Sequence, residues 1–272
     1  MLNKSDLANA LGLSCVEKYF LAWLGGRTDV TRLYGSAFVG IMQVLDDFAH
    51  GALYQNYCYL PRLQDVAEDY GIVEHEYRSC DKDEAKAIIR AQAKNELYLV
   101  RVNAEFFTGF RRTAWREDHY ICIDENLQWV NEYPLSEGVF TEEAFDRGYG
   151  GAVLLYAEKD LAAKTDDHAT SGLMHQDFTR KAIPHDSGAL ESAVGVLRVT
   201  RKRLEKFFCE TAAVEWLLHE ENVKLDKLYF NLRLAQTKGR AFSDTANEEI
   251  DALIQIEKQI AEVIKNEKKS GA

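Results

Sequence analysis

The sequence lacks the features that mark several classes of protein. Among its 272 residues, no apolar run reaches the roughly 18–20 residues of a membrane-spanning helix. The opening stretch MLNKSDLANALGLSC has no apolar core and carries Asp6, so we expect no signal peptide. The formal net charge of −11 makes general nucleic-acid binding unexpected, because the phosphate backbone attracts cationic surfaces.

Cysteine is scarce and scattered. The five cysteines are odd in number, and no Cys-x-x-Cys pair or Cys/His cluster indicates zinc. Neither GxGxxG nor GxxxxGK occurs, so no glycine loop for phosphate is predicted. We therefore expect a cytoplasmic protein with free thiols, no bound metal and no cofactor. The cysteines are Cys15, Cys58, Cys80, Cys122 and Cys209.

The apolar content is high enough for a substantial core, with 46% hydrophobic and 11% aromatic residues. Up to about residue 160, helical and strand patterns alternate; after a polar stretch, the pattern is almost purely helical. We therefore predict the α+β fold class, with an α+β domain over 1–160, a connector over 161–186 and a helical segment over 187–272. The predicted strands are ALYQNYCYL, IVEHEYRSC, ELYLVRVN, HYICI, LQWVNE and GAVLLYAE. Three of the predicted helices have an N-cap residue in the sequence, namely Ser5, Asp81 and Thr141.

A cysteine stands at the start of an early predicted helix, in LGLSCVEKYF. Ser14 and Glu17 have the spacing of a capping box, which predicts that the helix begins at Cys15. In a first helical turn, unpaired amides and the helix dipole stabilise anions. A thiol at that position can have a lowered pKa and act as a nucleophile.

A thiol nucleophile needs a base and a group that orients the base. His119 opens the predicted strand HYICI, and the next strand, LQWVNE, ends at Asn131 and Glu132. A hairpin would bring that end alongside His119. Because consecutive strand residues point to opposite faces, either Asn131 or Glu132 can orient the imidazole, but not both.

The order of these segments resembles a papain-like thiol fold. SCVEKYFLAWLGG, LYLVRVNAEFF and EDHYICIDENLQWVNEYPLSEGVFTEEAFDRGYGG resemble the N-terminal domain family of butirosin biosynthesis protein H. That family is itself similar to the bacteriocin-processing cysteine peptidases. The resemblance implies a central antiparallel sheet with an N-terminal cysteine helix. It also implies a cysteine-dependent acyltransferase, which moves an acyl group from a carrier-protein thioester to an amine in natural-product biosynthesis.

Carried onto this chain, the resemblance implies that Cys15 is acylated, His119 moves the proton, and Asn131 or Glu132 orients His119. Where the family commonly has histidine before its cysteine, this chain has Ser14, and no aspartate fills the third position. Two alternatives therefore stand beside acyl transfer. One is a cysteine peptidase or amidase that uses the same residues with water as acceptor. The other is a catalytically inactive binding or scaffold module of a biosynthetic cluster.

The remaining expectations concern substrate and partners. Arg111, Arg112 and Arg116 precede His119 and would bind a phosphate or carboxylate of the substrate, or pair with the acidic surface. The expected partners are an acyl-carrier protein or synthetase and a small-molecule amine acceptor. The final helical pattern, 246–268, packs either on its own domain or on a second subunit, which would make a homodimer.

Overall fold

The computed structural model describes residues 2–36, 38–58, 71–103, 119–158, 168–179, 182–239 and 244–270. The chain divides into two compact units. Unit 1 comprises Met1–Asp29 and Val66–Lys164, and unit 2 comprises Val30–Asp65 and Thr165–Ala272. No helix in the described ranges is both long and apolar enough to cross a membrane.

The described residues form helices and strands in the following order along the chain. They are α1 (Lys4–Asn9), α2 (Cys15–Gly25), α3 (Thr31–Ser36), α4 (Ile41–Ala49), α5 (Tyr54–Cys58), β1 (Ile72–Arg78), α6 (Lys82–Arg90), β2 (Glu96–Val102), β3 (His119–Ile123), β4 (Gln128–Glu132), β5 (Leu135–Val139), α7 (Glu142–Gly148), β6 (Tyr149–Glu158), α8 (His168–His175), α9 (Ser187–Phe207), α10 (Ala212–Thr237) and α11 (Asp244–Ser270).

Unit 1 is built on a mixed arrangement of helices and one open sheet. The six strands run in the order β1-β6-β2-β3-β4-β5, and every neighbouring pair is antiparallel. The α+β class and the central antiparallel sheet are therefore confirmed. The edge strand β5 was not predicted, because LSEGV is mostly exposed and its apolar content is low.

The sheet of unit 1 carries helices that the sequence specifies locally. Asp81 caps α6 by accepting from the amides of Asp83 and Glu84, as predicted, and Thr141 caps α7 by accepting from the amide of Ala144. Residues of α6 and α7 then share one apolar cluster with the strands. This cluster includes Ala85, Ile89, Tyr98, Val100, Ile123, Phe145, Tyr149, Val153 and Leu155.

Every regular element that the structure describes in unit 2 is a helix. Helices α8, α9, α10 and α11 share an apolar cluster, to which α11 contributes Ile256, Ile260 and Ile264. The apolar side of the final helix therefore packs within its own unit. Of the two alternatives given for that helix, this is packing on its own domain. Helices α3 and α4 pack against α9.

Two local expectations differ from the structure. A strand was predicted over 52–60, and helix α5 occupies Tyr54–Cys58 instead. The reason is tertiary packing, since Tyr57 stacks on Phe48 and donates to Asp47 at 2.6 Å. Helix α1 is capped by Asn3, which accepts from the amide of Asp6, rather than by Ser5.

The division of the chain also differs from the continuous boundary at residue 160. Residues 30–65 assort with the C-terminal helices because α3 and α4 pack on α9, a long-range contact that no local pattern reveals. The expected connector, 161–186, contains helix α8. The helical pattern after Ser187 is confirmed as α9, α10 and α11.

Candidate functional site

The site begins at the first turn of α2, which the capping box fixes. The Ser14 hydroxyl accepts from the amide of Glu17 at 3.1 Å, so the helix starts at Cys15 as predicted. The Glu17 carboxylate reaches one residue further back than a standard capping box, and accepts from the amide of Leu13 at 2.6 Å. Glu17 is fully buried, so this contact holds the chain that enters the helix.

The imidazole of His119 contacts the side-chain amide of Asn131. Nε2 of His119 lies 2.8 Å from Oδ1 of Asn131, and both residues are almost completely buried. Nδ2 of Asn131 donates to the carbonyls of Tyr133 and Pro134 at 3.0 and 3.1 Å. These two carbonyls only accept, so they fix the orientation of the amide.

The orientation of Asn131 decides which nitrogen of His119 carries a proton. Because Oδ1 of Asn131 can only accept, Nε2 of His119 must donate. In the neutral ring, Nδ1 is then the nitrogen with the lone pair. His119 is therefore held in the tautomer that can take a proton at Nδ1.

Glu132 points away from this contact and toward helix α2. Its carboxylate lies 2.7 Å from Nζ of Lys18, and its backbone amide donates to the hydroxyl of Tyr19 at 2.9 Å. Consecutive residues of β4 thus have separate partners, as strand alternation requires. Of the two alternatives left open by the sequence, Asn131 is the residue that contacts the imidazole.

The thiol of Cys15 is half-buried and lies against the start of β3. It accepts from the backbone amide of Tyr120, which belongs to the peptide bond that follows His119. The amides of Cys15 and Val16 in the first helical turn also point at the sulfur. The sulfur therefore sits beside the backbone of the first two residues of β3.

Burial decides the resting state of the thiol. It raises the pKa of Cys15 to about 11, and the carboxylate of Glu132 adds to the rise. The amides of Tyr120, Val16 and Cys15 oppose it, because they stabilise the thiolate. The lowered pKa that the helix position alone predicts is therefore not found; desolvation outweighs the helix amides.

Burial acts on His119 in the complementary direction. It lowers the pKa of the imidazole, while the hydrogen bond to Asn131 and the carboxylate of Glu132 oppose the change. Glu132 thus acts on both the thiol and the imidazole. At rest, the two groups are a neutral thiol and a neutral imidazole with an accepting nitrogen. General-base catalysis by a thiol and an imidazole starts from these two neutral forms, because the proton leaves the sulfur as the sulfur attacks.

Sequence reasoning missed three residues of this site, namely Lys18, Tyr19 and Tyr120. The first two were detectable, because residues three and four positions after Cys15 lie on the same helix face. Tyr120 contributes through its backbone, which no side-chain pattern reports. Arg111, Arg112 and Arg116 lie outside the described residues.

A scan against protein-family models finds no match to this chain, and no curated protein matches it. The geometry of the site is therefore what supports a function. In the described part of the chain, no group of three or more His, Cys, Asp or Glu residues is placed to hold a metal ion.

Proposed function

We propose that the protein is a cysteine-dependent acyltransferase with a papain-like arrangement of Cys15, His119 and Asn131. The observation that carries the proposal is the 2.8 Å contact between His119 and Asn131, which leaves Nδ1 of His119 as a proton acceptor. The thiol stands at a capped helix N-terminus and accepts from the amide of Tyr120, next to His119 in the chain. These are the nucleophile, the base and the orienting group that thiol catalysis requires.

The reaction consists of two transfers through the same sulfur. Nδ1 of His119 takes the thiol proton, and Sγ of Cys15 forms a bond to the thioester carbonyl carbon. The carbon–sulfur bond of the donor breaks, and the leaving thiolate takes the proton from His119 and departs as a thiol. In the second transfer an amine attacks the acyl-cysteine, His119 takes the proton of the amine, and Cys15 leaves and is protonated again.

The amides around Cys15 can stabilise the charge that develops during these steps. The helix amides of Cys15 and Val16 and the amide of Tyr120 are directed at the sulfur. They favour the thiolate that forms as the proton moves to His119. Because burial disfavours a standing thiolate, we infer that the charge appears only when a substrate is present.

The natural-product context rests on the resemblance to the butirosin biosynthesis protein H family. That resemblance supports an acyl-carrier protein or synthetase as donor and a small-molecule amine as acceptor. The basic stretch 198–208 supplies little free charge for docking an acidic carrier. Arg201 and Arg203 are fully buried, and Arg198 and Lys202 pair with Asp226.

Acylation of Cys15 by a simple thioester is the direct test. We expect that hexanoyl-N-acetylcysteamine adds one hexanoyl group to the protein, detected by intact mass and located at Cys15 by peptide mapping. The Cys15→Ala variant should gain no such mass, whereas Cys209→Ala, which removes an exposed thiol, should be acylated like the wild type. Acylation that persists in Cys15→Ala at the wild-type rate would overturn the proposal.

Product analysis separates transfer from hydrolysis. With ethanolamine present, an acyltransferase forms the hexanoyl amide faster than the free acid, and His119→Ala lowers both rates by about 10²-fold or more, the usual contribution of a general base. Free acid as the sole product at all amine concentrations would assign the site to a hydrolase. Peptide and amide substrates would then be the compounds to test.

The raised pKa of Cys15 favours a second candidate, a binding module that performs no catalysis. A thiol that only fills space needs no base, so iodoacetamide should alkylate Cys15 equally fast in the wild type and in His119→Ala. A slower reaction in His119→Ala would show that the imidazole assists the thiol and would exclude this candidate.

A further inference from the structure

Helix α10 is apolar on two sides. One side belongs to the core of unit 2 and includes Val214, Leu217, Leu218, Leu225, Leu228 and Leu232. The other side leaves four large apolar residues in water. These are Trp216, Val223, Phe230 and Leu234, with 62%, 56%, 65% and 41% of their surfaces exposed. Single exposed apolar residues are ordinary, but a row of them along one helix marks an interaction surface.

The spacing of these four residues places them on a single face of the helix. Trp216, Val223 and Phe230 follow one another at intervals of seven residues, and Leu234 lies four residues further on. From Trp216 to Leu234 the row covers 18 residue steps, or about 27 Å at 1.5 Å per residue. A repeat of seven along a straight exposed face is the pattern that a second long helix covers.

Two charged residues of opposite sign lie on the same face of α10, and their positions indicate which partner fits it. Glu220 lies between Trp216 and Val223, and Lys227 lies between Val223 and Phe230; both are exposed. The ammonium of Lys227 also lies 3.4 Å from Oε1 of Glu249 on α11, and 71% of its side chain stays exposed for a second carboxylate. The face is thus nearly symmetric about Val223. Trp216 and Phe230 stand seven residues to either side of it, and Glu220 and Lys227 stand three and four residues to either side.

We propose that this face of α10 binds the same face of a second copy of the chain, with the two helices antiparallel and a two-fold axis beside Val223. In that pairing Val223 meets Val223 of the partner subunit, and Trp216 meets the partner's Phe230. The carboxylate of Glu220 meets the ammonium of the partner's Lys227, and Leu234 reaches the small residues Ala212 and Ala213 at the other end. A two-fold interface requires such self-complementarity in both shape and charge.

The size of the proposed α10–α10 interface determines how stable a dimer we expect. A single pair of helices in contact over about 27 Å forms a small interface. Specific interfaces bury at least about 1,200 Å² of total surface, so this one lies at the lower end of that range. We therefore expect a dimer that dissociates on dilution. This inference is independent of the proposed chemistry, because every residue in it belongs to α10.

Sedimentation velocity over a wide range of protein concentration tests the dimer. The wild type should shift from the monomer mass of 31.0 kDa toward twice that mass as its concentration rises. Val223→Asp should remain a monomer, because it places two carboxylates on the two-fold axis. Val139→Asp changes a valine that is 66% exposed in β5 of unit 1, and it should dimerise like the wild type. The proposal would be overturned if the wild type stays monomeric at every concentration. It would also be overturned if Val139→Asp weakens dimerisation as much as Val223→Asp does.

Charge reversal identifies the partner more sharply. Glu220→Lys alone and Lys227→Glu alone should each dimerise more weakly, because like charges face each other across the axis. Mixed in equal amounts, the two variants restore both opposite-charge pairs, so the mixture should dimerise more strongly than either variant alone. Lys265→Glu, which reverses an exposed charge on α11, is the control. It should dimerise like the wild type when alone, and it should not strengthen the dimerisation of either charge-reversal variant when mixed with it. A mixture no stronger than its components would exclude the antiparallel pairing.

Discussion

Nζ of Lys18 lies 2.7 Å from Oε2 of Glu132, one helical turn beyond Cys15. The carboxylate is nearly buried, with 5% of its side chain exposed, and the lysine is the cation that compensates it. Glu132 raises the pKa of the thiol and opposes the lowering of the pKa of the imidazole. The carboxylate of Glu132 therefore acts on both the thiol of Cys15 and the imidazole of His119.

We expect Glu132→Gln to make Cys15 easier to ionise. The substitution removes a carboxylate that raises the pKa of the thiol and leaves the ammonium of Lys18 nearby, so the pKa should fall below about 11. The pH dependence of iodoacetamide alkylation at Cys15, followed by mass spectrometry, measures this value. The variant should be alkylated faster than the wild type at any pH below the pKa.

Two further variants make the result specific. Glu137→Gln removes an exposed carboxylate from the neighbouring strand, with 59% of its side chain exposed, and should leave the alkylation profile unchanged. Lys18→Met leaves the carboxylate of Glu132 without its cation and should move the profile to higher pH. An unchanged or raised thiol pKa in Glu132→Gln would contradict the arrangement of charges around the sulfur.

His119 should make stability sensitive to acid. Burial lowers its pKa below the ordinary value of 6.5, so the unfolded chain takes up a proton at a pH where the folded protein does not. Between the two values the unfolded state binds more protons, and the free energy of unfolding therefore decreases as the pH falls below about 6.5. The stability from this group is fully present above that pH.

Urea unfolding of the wild type and His119→Gln over a pH series isolates this effect. The glutamine cannot ionise, so the difference in free energy of unfolding between the two proteins should be constant above about pH 6.5. Below that pH, the wild type should lose more of its free energy of unfolding than His119→Gln does. If the free energies of unfolding of the two proteins change in parallel down to about pH 5, His119 titrates as in an unfolded chain and the expectation is wrong.

The sequence was sufficient wherever one short segment determines the outcome. Ser14 and Glu17 fixed the start of α2, and Asp81 and Thr141 fixed two other helices, because a cap depends on residues three positions apart. The pairing of His119 with the end of β4 was also predictable, since a short hairpin joins the two strands.

The sequence was insufficient where distant segments decide. Strand alternation left Asn131 and Glu132 as alternatives, and only the positions of His119 and Lys18 assigned them. The pKa of Cys15 was expected to be low from its place in the helix. Burial of the thiol reverses that direction, and burial is a property of the assembled unit.

Gly12 should be intolerant of substitution because α2 passes close to it. A Cβ at this position would lie 2.5 Å from the backbone nitrogen of Lys18, and the backbone there cannot yield without moving the first turn of the helix. We expect Gly12→Ala to lower the free energy of unfolding by about 1–3 kcal/mol, as overpacking usually does. Chemical denaturation measures the change.

Gly26 provides the matched control at the other end of α2. Its φ is −75°, and a Cβ there would lie 3.6 Å from the carbonyl oxygen of Trp23, an ordinary contact. Gly26→Ala should therefore change the free energy of unfolding by less than about 1 kcal/mol. Equal losses in the two variants would contradict a requirement specific to Gly12.

In unit 2, Arg201 is fully buried between two buried carboxylates. Its Nε lies 2.6 Å from Oε1 of Glu257 and 3.3 Å from Oε1 of Glu221, and Nη1 donates to the carbonyl of Val39 at 2.9 Å. Burial and the neighbouring Glu257 raise the pKa of Glu221, against the opposing effect of Arg201. Both of the raising effects favour the neutral form of Glu221 beside the guanidinium of Arg201.

The raised pKa of Glu221 predicts unequal effects of two substitutions. Arg201→Met should lower the free energy of unfolding by about 3–5 kcal/mol, because it leaves an uncompensated buried carboxylate. Glu221→Gln should cost less than about 1 kcal/mol, because burial and Glu257 already favour the neutral carboxyl group, and a neutral amide of the same shape replaces it. Arg233→Met, at an arginine with 67% of its side chain exposed, is the control and should be nearly neutral. Urea unfolding followed by circular dichroism measures all three. A loss in Glu221→Gln as large as in Arg201→Met would mean that Glu221 is ionised in the folded protein.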